Sequence, residues 1–162
     1  MSDAGQTLPA SAQKVQDEAR RLGLAITVKE MAESTRTAEE AATACGCGVA
    51  QIVKSLVFRG KETGNAYLML VSGPNRLNEK GVAAVVGEAL VRPDATYVRD
   101  VTGFAIGGIP PFGHTSPMTV FIDEDLLKFE TVWAAAGTPR AVFEVAPGAL
   151  ADAVRGEIMK VT

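Results

Sequence analysis

Histidine is nearly absent from this chain: His114 is the only one in 162 residues, and cysteine occurs twice, as Cys45 and Cys47. A single histidine cannot build a paired-histidine metal site, and with the two cysteines it offers at most three soft ligands at an unfamiliar spacing. No metal is expected. One residue between two cysteines is too little for an ordinary loop-closing disulfide, so the thiols read as reduced and the protein as cytoplasmic. Nothing near CGCG supplies the base or electropositive setting of a cysteine nucleophile. Ser55 and Ser116 lack the flanking glycines of a hydrolase elbow. There is also no phosphate-binding loop or dinucleotide fingerprint, and no cofactor is expected.

Excess charge of one sign is lacking too. Sixteen Lys and Arg against nineteen Asp and Glu leave a net charge of −3. A protein that grips long stretches of nucleic acid carries a strong positive field, so DNA is not an expected partner and any contact with nucleic acid should be small. No apolar run is long enough to span a bilayer, which removes the membrane from the expected partners. The first ten residues, MSDAGQTLPA, hold no basic or apolar block of a secretion signal and read as a flexible tail over 1–10.

What is present is the balance of a globular protein, 47% apolar and 22% charged, in a length suited to one core. A single domain is expected over 11–162. Ser11 can cap a helix with Val15, Ala19 and Leu22 on one face and Gly23 after its end. AITVKE then reads as a strand. Thr37 and Glu40 form a capping box that opens an alanine-rich helix ending near Gly46 to Gly48. Ile52 to Arg59 and the stretch AYLMLV read as a hairpin around RGKETGN. Asn78 caps a helix EKGVAAVV, and residues 91–117 read mostly as loop and turn. MTVFID, TVWAAA and RAVFEVA follow as strands, then a helix GALADAVRG and a terminal strand EIMKVT. Hairpins with interspersed helices, and no regular βαβ rhythm, give an α+β class with a mixed, mostly antiparallel sheet.

Two stretches carry the chemical interest. In IVKSLVF, Lys54 shares a strand face with Ile52, Leu56 and Phe58, while Val53, Ser55 and Val57 occupy the other. An ammonium among apolar neighbours loses hydration that something must offset. Either the side chain snorkels to water, or its head lines a cleft and awaits an anion such as a phosphate or a developing oxyanion. The second stretch is GFAIGGIPPFG, Gly103 to Gly113, whose glycines permit close approach and whose paired prolines stiffen the turn. It is either a stiff connection or a loop whose main-chain groups hold a small polar ligand.

Together, IVKSLVF and GFAIGGIPPFG resemble the two signature segments of the YbaK and prolyl-tRNA synthetase-associated editing family. TRTAEEAA before the first and VFIDEDLLKFETVWAAAGTPRAVFEVAPGAL after the second follow that family's order of elements, so the resemblance runs from about Ser11 onward. It implies a free-standing aminoacyl-tRNA deacylase that hydrolyses mischarged tRNA, without metal or cofactor and without a protein nucleophile. The substrate's own terminal ribose hydroxyl would help to orient the water.

By the same resemblance, Lys54 is the catalytic lysine, Gly107 and Pro111 are the ends of the family's Gly-x-x-x-Pro loop, and Ser55, Gly108 and Ile109 join them as substrate-binding residues. The implied partners are the tRNA acceptor end and prolyl-tRNA synthetase as the source of the error. One departure is Val142, where some free-standing members carry an Asp. The missing polar contact inclines the substrate from cysteine toward alanine or 2-aminobutyrate. Two rival readings stand beside this one: a non-catalytic module that binds a nucleotide or RNA end, and a thiol-dependent protein centred on Cys45 and Cys47.

Overall fold

The computed structural model describes residues 7–162. Most of the tail expected over 1–10 lies outside the described residues. Helix α1 (Ala10–Arg21) begins at the tail's last residue and buries Ala12, Val15, Gln16 and Ala19, the spacing of one helical face. Ser11 is not its cap. Pro9 takes that position, where a missing N–H costs nothing, and its carbonyl accepts the Gln13 amide at 2.9 Å.

The strand expected over AITVKE shrinks to β1 (Lys29–Glu30). The reason lies in α1: the buried Gln16 amide donates to the Ile26 carbonyl at 3.1 Å and accepts the Val28 amide at 2.8 Å. Backbone groups occupied by a side chain are not free to pair with a neighbouring strand.

Helix α2 (Ala38–Cys45) has the expected capping box, with Thr37 Oγ1 accepting the Glu40 amide and Glu40 Oε1 accepting the Thr37 amide. A 3₁₀ turn (Val49–Gln51) leads into β2 (Ile52–Gly60), and β3 (Ala66–Ser72) returns beside it in antiparallel register. Helix α3 (Glu79–Val86), capped by Asn78, and β4 (Leu90–Val91) follow.

Residues 91–117 are not all loop: α4 (Ala95–Thr102) stands there, its N-terminus capped by Asp94 and its end marked by Gly103 in the left-handed region. The chain continues through β5 (Thr119–Asp123), a 3₁₀ turn (Glu124–Lys128), β6 (Val132–Ala135), β7 (Ala141–Val145), α5 (Pro147–Val154) and β8 (Glu157–Met159).

The strands form one mixed sheet in the order β1-β7-β6-β2-β3-β5-β8, with β4 pairing the far end of β2. Four of the pairings are antiparallel and three parallel, an α+β arrangement as expected. One face packs against α1, α4 and α5 through Val15, Val98, Leu68, Ile122, Phe143 and Leu150. The other is covered in two patches: α2 lies over Ile52, Trp133 and Val142, and α3 over Phe58, Met69 and Phe121. Lys54 falls between these patches, half-buried, and the half-buried Leu56 borders the α3 patch.

The parallel pairing of β2 with β6 matches Ile52 to Trp133 and Val53 to Ala134 and then stops. Lys54 and Ser55 therefore have β3 on one side and no paired strand on the other. This gap positions the site.

Candidate active site

A cavity of about 270 Å³ occupies the gap. Lys54, Ser55 and Leu56 form its floor, Ala38 and Ala41 of α2 and the preceding Thr35 and Arg36 one side, Trp133, Ala135 and Val142 another, and Ile106, Gly107 and Ile109 the rim. Its wall is thus mainly aliphatic and aromatic, with a few polar groups.

The Lys54 ammonium donates one hydrogen bond, 2.7 Å long, to the main-chain carbonyl of Asn75. It makes no ion pair among the described residues. Burial pulls its pKa below that of an ordinary lysine, the Glu39 and Asp123 carboxylates oppose the shift, and the nearby Arg76 guanidinium adds to it. Of the two placements open from sequence, the head lies in a cleft. Two of its three N–H donors remain for a ligand among the described contacts.

Ser55 shares the cavity, and its Oγ is buried with no hydrogen-bond partner among the described residues. Such a hydroxyl costs free energy unless something accepts or donates to it. Gly107 lines the rim with φ +104°, a conformation L side chains rarely adopt, and a Cβ there would stand 3.2 Å from Arg36 Nε. Ile109 is buried beside it.

Two other expected residues lie apart. Gly108 is absent from the cavity lining; it packs on Thr138, whose Cα would be 2.8 Å from a Cβ at this position, and its carbonyl accepts the Gly137 amide at 2.8 Å. These contacts seat the loop against the segment that follows β6. Pro111 is buried and borders a separate, shallower hollow with Lys14, Glu18 and His114. His114 Nε2 is 2.7 Å from the Pro110 carbonyl, and burial holds its pKa below the ordinary histidine value.

Cys45 and Cys47 flank the α2 end and pack against the cluster holding Ile52 and Trp133. Burial raises the pKa of both, Cys45 to about 11. Among the described residues, no group of three or more His, Cys, Asp or Glu side chains could hold a metal ion.

Sequence reasoning missed Arg36, Trp133 and Asn75. Arg36 had a signal, a cation placed just ahead of the capping box in TRTAEE. Trp133 and Asn75 had none, because both reach the site through pairings distant in sequence.

The sequence model of a family described as an aminoacyl-tRNA editing domain matches residues 32–153, a span that includes Lys54, the glycine-rich loop and Val142. The chain belongs to the aminoacyl-tRNA editing domain family. Its setting is therefore tRNA editing. The uncharacterized protein YwhH of Bacillus subtilis is 32% identical to this editing domain over 125 residues, which is 77% of this chain and 79% of YwhH.

A crystal structure described as a candidate trans-editing enzyme for prolyl tRNA synthetase superimposes with a TM-score of 0.91 at 47% identity, covering 96% of this chain and 99% of that one. A proline–tRNA ligase of Limosilactobacillus fermentum is 29% identical over 102 residues, 60% of this chain but 18% of the ligase. The likeness thus spans nearly all of that solved chain but only a segment of the ligase. No helix among the described residues is long and apolar enough to cross a membrane.

Proposed function

We propose that this editing domain is a trans-acting aminoacyl-tRNA deacylase of the cytoplasm, formed as one domain over 11–162, whose substrate is proline tRNA mischarged with a small apolar amino acid. The observation that carries the reading is the Lys54 ammonium facing a mostly apolar cavity beside Gly107. An aminoacyl ester is already activated, so catalysis needs a positioned water and charge stabilisation more than a strong nucleophile.

Water adds to the ester carbonyl, negative charge develops on its oxygen, and the C–O bond to the ribose breaks. The ribose oxygen leaves with a proton, releasing free amino acid and uncharged tRNA. Lys54 either anchors the terminal phosphate or stabilises the carbonyl oxygen, and the substrate's ribose hydroxyl orients the water. Main-chain groups of the loop at Gly107 and Ile109 hold the aminoacyl end, and Ser55, next to the lysine, is a further member of the pocket.

The side-chain pocket decides specificity. Val142, Ala38 and Ala41 offer a thiol or hydroxyl no side-chain hydrogen-bond partner, whereas a methyl or ethyl group suits them. Discrimination by one methylene is limited to about 1–3 kcal/mol, which is why a second, editing site is required at all. The test is a panel of proline tRNAs carrying Ala, 2-aminobutyrate, Ser, Cys and Pro, run with and without prolyl-tRNA synthetase. Alanyl- and 2-aminobutyryl-tRNA are expected to be hydrolysed fastest and prolyl-tRNA spared. Binding of all five with turnover of none would instead assign a non-catalytic RNA-end module.

A further inference from the structure

Behind the Lys54 head stands a buried acid. Asp123 closes β5, is 1% exposed, and makes no ion pair among the described residues. Its oxygens accept three N–H groups instead: Oδ2 takes the Ser72 amide at 3.0 Å and Asn75 Nδ2 at 2.8 Å, and Oδ1 takes the Asp125 amide at 2.9 Å. Three converging donors require an acceptor-only side chain, and an ionised carboxylate is one.

What this carboxylate holds is the residue that holds Lys54. Asn75 Nδ2 is shared with Asp125 Oδ2 at 2.8 Å, and its amide donates to the Ser72 carbonyl at 2.9 Å. Its own carbonyl accepts the Lys54 ammonium at 2.7 Å. The loop starts at Gly73, where a Cβ would come within 2.2 Å of the Val49 carbonyl, so it is pressed against the 3₁₀ turn before β2. An unbroken line of hydrogen bonds runs from the end of β5 to the cavity floor.

We propose that Asp123 is a positioning residue for Lys54: through Asn75 it fixes where the ammonium sits in the cavity, and it supplies negative field behind it. This rests on the reading of Lys54 as the working group. A misplacement of about 1 Å at a reacting centre can cost 100-fold in rate, so a brace of this kind is worth its buried charge. The charged groups that face Lys54 are Glu39 of α2, Asp123 of β5 and Arg76 of the loop. Of these, Asp123 alone is tied to Lys54 through a shared partner.

The experiment compares alanyl-tRNA deacylation by the full chain and by Asp123→Asn, Asn75→Ala, Lys128→Ala, Lys54→Ala and the double variant Lys54→Ala/Asp123→Asn, across pH. Asp123→Asn is expected to lower kcat about 10-fold with KM within about two-fold, the pattern of lost transition-state positioning. Its alkaline limb should fall at lower pH than in wild type, because the lost carboxylate favoured the ammonium. Asn75→Ala keeps that charge, so kcat should fall while the limb stays in place. Lys128 only pairs with Asp125 at the surface, and its removal should leave the kinetics unchanged. In the Lys54→Ala background, Asp123→Asn should add nothing.

Wild-type kcat in Asp123→Asn, an unmoved limb, or an equal loss with and without Lys54 overturns the proposal. Full activity in Lys54→Ala overturns the underlying reading instead. Should Asp123→Asn fail to fold, Asn75→Ala carries the test, and wild-type kcat there overturns the brace. Nitrogen-15 lysine NMR of folded Asp123→Asn gives a readout independent of turnover: the Lys54 ammonium should lose its proton at lower pH than in wild type, and an identical titration overturns the proposal.

Discussion

A lysine in the middle of β2 is the residue on which the account turns. Its stem shares a face with Ile52, Leu56 and Phe58, as the alternation of a strand dictates, and its head ends in a cavity rather than in open solvent. Hydration lost there is offset by one main-chain carbonyl and by two carboxylates, with room left for an anionic ligand. The cysteines behave oppositely. Burial holds Cys45 protonated up to about pH 11 and raises Cys47 as well, so neither is a thiolate at neutral pH. Replacing both by Ser is expected to leave the deacylation rate unchanged in a single-turnover assay; loss of activity in a folded double variant would restore the thiol reading.

Among elements, the hairpin β2–β3 and the capping box of α2 were legible because their determinants are local: alternation, a polar turn, and Thr37 three residues before Glu40. Helix α4 was hidden by the density of glycine and proline around it, although Asp94 and Gly103 mark its two ends. The extended segment at Ala25–Val28 escaped because its ladder is taken by Gln16, a partner ten or more residues away. Within the Gly-x-x-x-Pro loop, Gly107 lines the cavity, Gly108 packs on Thr138 and Pro111 borders the second hollow, a division that the spacing of the motif does not show.

Another local device is the carboxylate of Glu88, which accepts from the Glu62 and Thr63 amides, Thr63 Oγ1 and Tyr67 Oη and so ties the β2–β3 turn to the segment after α3. These donors, led by the Thr63 hydroxyl, lower its pKa from the usual 4.5 to about 2. A depressed carboxylate pKa contributes stability that is complete above the unfolded value and is lost as pH falls through the folded one. Hydrogen exchange at Glu62 and Thr63 is therefore expected to lose protection progressively as pH drops from about 4.5 to about 2, relative to Glu88→Gln at the same pH; equal protection in both would contradict this.

For the molecule as a whole, the decisive feature is a sheet that pairs β2 with β6 for two residues and then parts. Two helix patches on one face leave the same strip uncovered, and the glycine-rich loop closes over it. No sequence pattern announces this, since Trp133 and Val142 arrive from strands about 80 or more residues downstream of Ile52. A net charge of −3 is in keeping with the proposed contact, which is limited to the acceptor end of tRNA.

The most direct measurement is the single-turnover hydrolysis of alanyl-tRNA bearing the proline anticodon by wild type and by Lys54→Ala. Removing one electrostatic donor from a developing oxyanion costs about 100-fold or more, and a loss of that size in a folded variant is the expected result. An undiminished rate in Lys54→Ala would contradict the account.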